Sequence, residues 1–235
     1  MDVYVFDIDG TLTPSRLRID PEFEQFFINW MEGKKIVFVT GSDKAKTIEQ
    51  IGDNIWNSAD ACLQSCSNHI FEGGVETYKI DWKPSNELIS FLEELLQETK
   101  YTIKTSNHIE ERIGLLNFSI VGRDCTQEQR EAYYEWDSKS GERLQFAQQI
   151  MDRFPGIEAS VGGQISIDIH PLGANKSQAK AWILNNFGQE SIIHFYGDKM
   201  SPGGNDYDLA KVLQQPHKTY SVTDWKDTMK HLKEQ

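Results

Sequence analysis

The chain has 235 residues, of which 38% are hydrophobic and 26% charged, so it can bury the core of one or two globular domains. Its 36 acidic and 24 basic residues give a formal net charge of −12, which argues against broad surfaces for nucleic acid or anionic membranes. The same charge is compatible with a small anionic ligand that a local cluster of arginines would hold.

The cysteines and the first residues predict a reducing compartment. Cys62, Cys66 and Cys125 cannot pair completely, and they lack the spacing and histidine partners of a zinc site. A strand-like run at residues 3–6 follows the initiator methionine directly, so we expect no signal peptide. The longest apolar runs are too short to cross a bilayer. We therefore expect a cytoplasmic protein that binds neither nucleic acid nor membranes.

Strand-like and helix-like segments alternate in the first third of the chain. Apolar runs lie at residues 3–6 and 35–39, and helix-like stretches follow them at residues 22–31 and around Ile48 and Ile51. This order is typical of a parallel sheet with crossover helices.

The middle of the chain has a different pattern. Residues 88–96 have the period of an amphipathic helix, residues 115–122 resemble a strand that ends at a glycine, and Phe146 and Ile150 mark another helix. Residues 165–169 alternate apolar and polar side chains, which predicts a half-buried antiparallel strand. An α+β domain is therefore expected here.

Towards the C-terminus the first pattern returns, with a helix over residues 179–185, a strand over residues 192–196 and a glycine-rich loop. We predict an α/β fold whose core is discontinuous and consists of residues 1–79 and 173–235. Between the two parts we predict an inserted α+β domain, residues 80–172, with an antiparallel sheet and helices.

Two carboxylates, Asp7 and Asp9, directly follow the first predicted strand. In an open parallel sheet, ligands bind beyond the carboxyl ends of the strands. The first carboxylate can attack phosphorus to give an aspartyl-phosphate, and the second can protonate the leaving oxygen and later deprotonate the incoming one. A plain Asp-Gly turn is the structural alternative. A calcium loop is excluded, because Leu12 stands in place of the loop glycine and Arg18 in place of the bidentate glutamate.

Two other strand ends carry candidate ligands for phosphate and metal. Thr40 and Ser42 follow the second strand at a helix start, where hydroxyl and backbone N–H groups can hold a phosphoryl oxygen, although such residues also cap helices routinely. Asp198 follows a third strand. Together with Asp7 and the backbone carbonyl of Asp9, Asp198 would make an oxygen-only Mg²⁺ site.

The chain contains only seven arginines, and five of them lie in the predicted inserted domain. In so acidic a protein, this clustering is what bidentate capture of a phosphate group requires. The alternative is solvated helix and loop charge, which we expect for Arg143 and Arg153.

These motifs resemble those of the haloacid dehalogenase-like (HAD) phosphotransferases and, over nearly the whole chain, those of the eukaryotic-type phosphomannomutases. The segments that carry the resemblance are residues 7–11 (DIDGT), 40–42 (TGS), 112–117, 122–130, 162–168 and 197–206, together with Lys176. The resemblance implies a HAD-like Rossmannoid core with a parallel sheet and an inserted cap domain.

The resemblance also implies a role for each matching position. Asp7 matches the nucleophile, Asp9 the general acid/base, and Lys176 a lysine that steadies the phosphoryl group. The positions that match the family's Mg²⁺ ligands are Asp7, Asp9 (through its carbonyl) and Asp198. Asn205 and Asp206 match residues that lie behind these ligands. The positions that match the family's residues for binding the distal phosphate and the sugar are Arg16, Arg112, Arg123, Arg130, Ser166 and Asp168.

Some positions depart from the family pattern. Thr40 stands where these mutases have glycine, which makes the segment more similar to related sugar phosphatases, and either Thr40 or Ser42 is a candidate for contact with the phosphoryl group. The connection over residues 68–112 is shorter, and residues 209–212 lack the carboxylate of the family's second, structural cation site.

The predicted function is a phosphomannomutase that interconverts mannose 6-phosphate and mannose 1-phosphate. The resemblance implies an aspartyl-phosphate, Mg²⁺, a hexose 1,6-bisphosphate activator and a homodimer formed through the cap. The alternative is a Mg²⁺-dependent sugar-phosphate phosphatase, which Thr40 and the short connection favour, whereas the cap arginines with Ser166 and Asp168 favour the mutase. A catalytically silent sugar-phosphate-binding protein is a third possibility, against which the complete set of aspartates and Lys176 argues.

Overall fold

The computed structural model describes residues 1–234, which form eleven strands and eight helices. In chain order, the strands are β1 (Asp2–Phe6), β2 (Lys35–Val39), β3 (Ala61–Gln64), β4 (His69–Glu72), β5 (Val75–Lys79), β6 (Ile109–Arg112), β7 (Leu115–Ser119), β8 (Ile157–Gly162), β9 (Ser166–Pro171), β10 (Ile192–Gly197) and β11 (Lys218–Ser221). The helices are α1 (Pro21–Met31), α2 (Lys44–Ser58), α3 (Asn86–Glu98), α4 (Gln127–Ser140), α5 (Glu142–Arg153), α6 (Gln178–Phe187), α7 (Tyr207–Val212) and α8 (Trp225–Lys233).

The larger sheet has seven strands in the order β11-β10-β1-β2-β3-β4-β5. The first five of these are parallel, which confirms the expectation from the alternating strands and helices. β4 and β5 add an antiparallel edge that was not predicted. Gly73 and Gly74 join these two strands with φ values of 53° and 81°, the left-handed backbone that a tight hairpin turn requires.

Successive residues of the parallel strands belong to two separate apolar clusters. Val3 and Val5 of β1 share a cluster with Ile183 of α6, whereas Phe6 shares the other with Phe27 of α1. Because helices cover both faces, these strands read as continuous apolar runs rather than as an alternating pattern. Full burial of a side chain such as Phe27 contributes about 1.5–3 kcal/mol to folding.

The smaller sheet has four antiparallel strands in the order β6-β7-β9-β8. Ile167 on one face of β9 belongs to an apolar cluster that also contains residues of α3, α4 and α5. The prediction that this strand is half-buried is wrong, because its polar residues Ser166, Asp168 and His170 are buried as well. Asp168 comes so close to the larger sheet that a Cβ at Gly41 would lie 2.8 Å from its Oδ2.

All strands of the smaller sheet and the helices packed on it come from residues 86–171. We propose residues 1–79 and 173–235 as one unit, called the core below, and residues 80–172 as the inserted unit, called the cap. Within residues 1–234, no helix is long and apolar enough to cross a membrane. Cys62 and Cys66 are buried in the core, and burial raises the pKa of both thiols, so they remain protonated and unreactive at neutral pH.

Candidate active site

A cavity lies between the carboxyl ends of the core strands and the polar face of the cap sheet. All the predicted catalytic, metal-binding, phosphate-binding and substrate-binding residues line it except Lys176 and Asp206. Its volume of about 30 Å³ holds one or two water molecules. This volume is smaller than a sugar phosphate requires.

Asp7 follows β1, and its buried carboxylate is paired with Lys176, whose Nζ lies 2.6 Å from Asp7 Oδ1. Lys176 is fully buried and donates a second hydrogen bond to Asp206 Oδ1 at 2.7 Å. Burial disfavours the ammonium, but the carboxylates of Asp206 and Asp7 outweigh it and hold the pKa of Lys176 above its ordinary value. Lys176 is therefore a fixed cation beside the candidate nucleophile.

Three carboxylates, those of Asp7, Asp198 and Asp206, each place an oxygen within 4.8 Å of the others. Burial and repulsion between neighbouring carboxylates raise the pKa of Asp7 well above its ordinary range and that of Asp198 to about 7. Asn205 adds a buried Oδ1 that has no hydrogen-bond partner within residues 1–234. Crowded oxygen donors with excess negative charge are the donor set that a hard divalent cation such as Mg²⁺ prefers.

Asp206 lies at this cluster but is already bonded through both oxygens. Its Oδ1 accepts from Lys176, and its Oδ2 accepts from the backbone N–H of Lys199 at 3.0 Å. Gly10, with a φ of 83°, brings the acidic loop close to Asp198, since a Cβ at Gly10 would lie 2.5 Å from Asp198 Oδ2. The close approach of two strand ends thus requires glycine at this position.

Asp9 is held by two hydrogen bonds to its Oδ1. The backbone N–H of Arg16 donates at 2.6 Å, and Gln50 Nε2 donates at 2.8 Å while also contacting Thr13 Oγ1 at 3.0 Å. Gln50 was not predicted as a site residue. Its signal is its place beside Ile51 on the buried side of α2, where an amphipathic helix would normally carry an apolar residue.

Thr40 and Ser42 lie in the turn between β2 and α2, and both side chains are buried at the cavity wall. Thr40 Oγ1 accepts a hydrogen bond from the backbone N–H of Ser42 at 3.1 Å. The threonine hydroxyl therefore already stabilises the turn itself.

On the cap side, Asn117 of β7 lies at the centre of a buried network. Its Nδ2 donates to Asp168 Oδ1 at 2.6 Å, and its Oδ1 accepts from Ser166 Oγ and Arg123 Nη1, each at 3.0 Å. Asn117 lies in a segment that carried the family resemblance, but it was not assigned a role. A polar residue inside an otherwise apolar strand was the available signal.

Arg16, Arg112, Arg123 and Arg130 all line the cavity. Burial and the positive charges of neighbouring arginines lower the pKa of Arg123 to about 9. Burial also lowers the pKa of Arg130, whose side chain is only 6% exposed. Guanidinium groups crowded in this way provide a site for a doubly charged anion such as a phosphate ester.

Arg112 joins the cap to the core in addition to lining the cavity. Its Nη1 donates to the backbone carbonyl of Gly41 at 2.6 Å, and its Nη2 pairs with Glu110 at 2.7 Å. Glu110 also pairs with Arg123 and with Lys46 of the core helix α2. Neither Glu110 nor Lys46 was predicted, because their proximity depends on the contact between cap and core.

The prediction that Arg143 is a solvated surface charge is wrong. Its side chain is 3% exposed and its Nε pairs with Asp137 Oδ2 at 2.7 Å. Its Nη1 donates to three backbone carbonyls of the segment 162–166 at 3.1–3.3 Å, so it anchors the loop before β9. Arg153 is exposed, as expected.

The family model of the eukaryotic phosphomannomutases matches residues 23–235. The chain belongs to this family. A probable phosphomannomutase of Caenorhabditis elegans is 33% identical over 98% of this chain and 93% of its own length. Human phosphomannomutase 1 is 34% identical over 98% of this chain and 90% of its own length.

Among solved structures, a haloacid dehalogenase-like hydrolase from Bacteroides thetaiotaomicron has a TM-score of 0.62 at 15% identity, over 99% of this chain and 98% of that one. This likeness confirms the predicted HAD-like fold, and the family confirms an enzyme of the phosphomannomutase type. Asp7 and Asp9 precede the segment that the family model matches. Their assignment therefore depends on the geometry around Lys176 and Asp198.

Proposed function

We propose that the protein interconverts mannose 6-phosphate and mannose 1-phosphate through an aspartyl-phosphate on Asp7. The observation that carries this proposal is the cavity, which has buried carboxylates on its core side, one of them paired with Lys176, and three arginines on its cap side. A mutase requires two anion sites, because one phosphate is transferred while the other is held. A simple phosphatase requires only the first.

In the proposed reaction, Asp7 is first phosphorylated by a hexose 1,6-bisphosphate activator. A sugar hydroxyl oxygen then attacks phosphorus, the bond between phosphorus and the Asp7 oxygen breaks, and Asp9 accepts the hydroxyl proton. In the opposite direction Asp9 returns the proton to the departing oxygen. The hydrogen bonds from Arg16 and Gln50 occupy Asp9 Oδ1, which leaves Oδ2 for the proton.

Asp7, Asp198 and the backbone carbonyl of Asp9 are the groups that would hold Mg²⁺, with Asn205 and Asp206 behind them. When bound, the cation would offset the charge on the transferring phosphoryl group. Lys176 adds a second, fixed compensating charge at Asp7. Thr40 Oγ1 accepts from the turn, which leaves its hydroxyl proton free, so the hydroxyls of Thr40 and Ser42 are both candidate donors to the phosphoryl group.

Arg123 and Arg130, with Arg112 and Arg16, would bind the distal phosphate, and the Ser166–Asp168 pair would bind sugar hydroxyls. Closure of the cap then keeps water from the aspartyl-phosphate, which is consistent with the small volume of the cavity. A homodimer through the cap and a cytoplasmic location complete the proposal, and the family resemblance supports the dimer.

Phosphorus NMR on mannose 1-phosphate, with Mg²⁺ and a trace of glucose 1,6-bisphosphate, tests the proposed function. Accumulation of mannose 6-phosphate with little inorganic phosphate is the expected result. Inorganic phosphate as the main product would instead establish the Mg²⁺-dependent phosphatase, the alternative that Thr40 favours. Binding of mannose 1-phosphate with no turnover of either kind would indicate a silent sugar-phosphate-binding protein.

A further inference from the structure

The core loop after β10 contacts the cap at a place that the proposed chemistry does not use. Lys199 Nζ lies 5.2 Å from the centre of the Tyr134 ring on α4 and 3.4 Å from its hydroxyl. The same ammonium lies 3.4 Å from Asp198 Oδ2. One lysine thus joins an aromatic side chain of the cap to a carboxylate of the candidate metal set.

Two more contacts join the cap to the same core loop. The backbone N–H of Val161 in β8 donates to the carbonyl of Gly203 at 2.8 Å. Leu144 of α5 lies so close that a Cβ at Gly203 would be 2.5 Å from its Cδ2. The Val161 hydrogen bond exists only while the cap lies against this loop, so its amide reports closure.

Lys199 and Asp198 line two clefts that open to solvent, with volumes of about 360 and 340 Å³. Asp198 also lines the smaller cavity of about 30 Å³. Each cleft has room for many water molecules, whereas the cavity has room for one or two. Tyr134 and Lys199 line the larger cleft together with Asp9 and Asp198, so their contact borders the route by which bulk water reaches these groups.

We propose that Lys199 and Tyr134 form a latch that keeps water from the phosphorylated Asp7 and thereby sets the ratio of sugar transfer to hydrolysis. The proposal rests on the proposed function, since it requires an aspartyl-phosphate. In hydrolysis, a water oxygen attacks phosphorus, the bond to the Asp7 oxygen breaks, Asp9 accepts a proton and inorganic phosphate leaves. Lys199 is a positioning residue here, because it acts through the cap.

Lys199→Met tests the latch because methionine keeps an apolar stem and removes the charge. In the phosphorus NMR assay above, the ratio of inorganic phosphate to mannose 6-phosphate should rise about 10-fold, the effect expected for loss of a cation–π contact. If the substitution altered only metal binding, both products would form more slowly and their ratio would stay unchanged. Lys199→Arg restores a cation over Tyr134 and should return the ratio to within about threefold of the unaltered protein.

Two further variants complete the design. Tyr134→Leu removes the cap half of the latch and should raise the ratio as Lys199→Met does, which keeps the test valid if one variant fails to fold. Lys211→Met is the matched control, because exposed Lys211 lies 5.6 Å from the Tyr207 ring within α7, and its removal should leave the ratio unchanged.

Hydrogen exchange of the Val161 amide gives a readout that needs no turnover. Exchange should be about 10-fold faster in Lys199→Met than in the unaltered protein and unchanged in Lys211→Met. An unchanged product ratio in both Lys199→Met and Tyr134→Leu would overturn the latch. If the unaltered protein itself releases mainly inorganic phosphate, the proposed mutase fails, and the Val161 exchange rate alone decides whether the latch exists.

Discussion

The core and cap sides of the cavity carry opposite charges, and each side is electrostatically incomplete. On the core side, burial and neighbouring carboxylates raise the pKa of Asp198 to about 7. On the cap side, burial and neighbouring arginines lower the pKa of Arg123 to about 9. Each side therefore lacks a counter-charge: a cation would stabilise the carboxylates, and an anion would stabilise the guanidinium groups. A sugar phosphate together with a divalent cation supplies both.

Because their charges differ, we expect the two sides to have different roles in the reaction. In the proposed reaction the core groups contact the transferring phosphoryl group, so substitutions there should lower kcat. The cap groups are proposed to hold the substrate in every step, so substitutions there should mainly raise KM.

Asp7→Asn should abolish turnover, with a loss in kcat of at least about 10⁴-fold, because the amide cannot form the phosphorylated intermediate. The substitution preserves size, and circular dichroism should show an intact fold. Activity above a trace in this variant would contradict the assignment of Asp7 as the nucleophile. Asp53→Asn, an exposed aspartate in α2, serves as the matched control and should keep full activity.

Lys176→Met should lower the free energy of unfolding by about 3–5 kcal/mol, because it leaves the buried carboxylates of Asp7 and Asp206 without their shared cation. Urea denaturation measures this change. The exposed Lys211→Met should change stability by less than about 0.5 kcal/mol. Equal stability of the two variants would show that Lys176 is not the electrostatic centre of the core side.

Arg130→Ala should raise the free energy barrier in kcat/KM by about 2 kcal/mol or more, mostly through KM, because it removes a charge-assisted contact with the distal phosphate. Steady-state kinetics with mannose 1-phosphate measures both parameters. Arg153→Ala, at an exposed position in the cap, should leave them unchanged. Unaltered kinetics in Arg130→Ala would mean that the cap does not hold the phosphate.

Removal of divalent cations should make stability depend on pH through the core side. The carboxyl of Asp198 titrates near its ordinary pKa of about 4 when unfolded and near about 7 when folded. The folded protein therefore binds the extra proton between these values, and its free energy of unfolding should fall as pH rises through this window.

Mg²⁺ should accordingly stabilise the protein more at pH 8 than at pH 5, by about 1–2 kcal/mol, because at the lower pH it must displace a proton. Thermal unfolding at both pH values, with Mg²⁺ and with a chelator, measures the difference. Equal stabilisation at the two pH values would contradict the charge imbalance assigned to the core side.

The sequence predicted the core side more fully than the cap side for a physical reason. Asp7 and Asp9 are placed by a short motif at a strand end, and parallel strand order brings such ends together. On the cap side, Glu110 and Asn117 acquire their partners only when strands pair and the cap meets the core. From sequence alone Arg143 is expected to be a surface charge, because its hydrogen bonds to the loop before β9 depend on the folded structure.

The same distinction applies to the fold. Strands covered on both faces, such as β1, were predicted from continuous apolar runs. β5 was not predicted, because its five residues are all exposed and its pairing with β4 at the sheet edge, rather than burial, defines it as a strand. For β9, the polar half of the alternation was taken as solvent-facing, but it faces the site.

The most direct test of the account follows a labelled phosphoryl group through Asp7. The protein would be incubated with ³²P-labelled glucose 1,6-bisphosphate and Mg²⁺, and the labelled peptide would be mapped before and after addition of mannose 1-phosphate. The account predicts that the label resides on Asp7 and that mannose 1-phosphate removes it as a hexose bisphosphate. Label on another residue, or its release mainly as inorganic phosphate in the presence of the sugar phosphate, would contradict it.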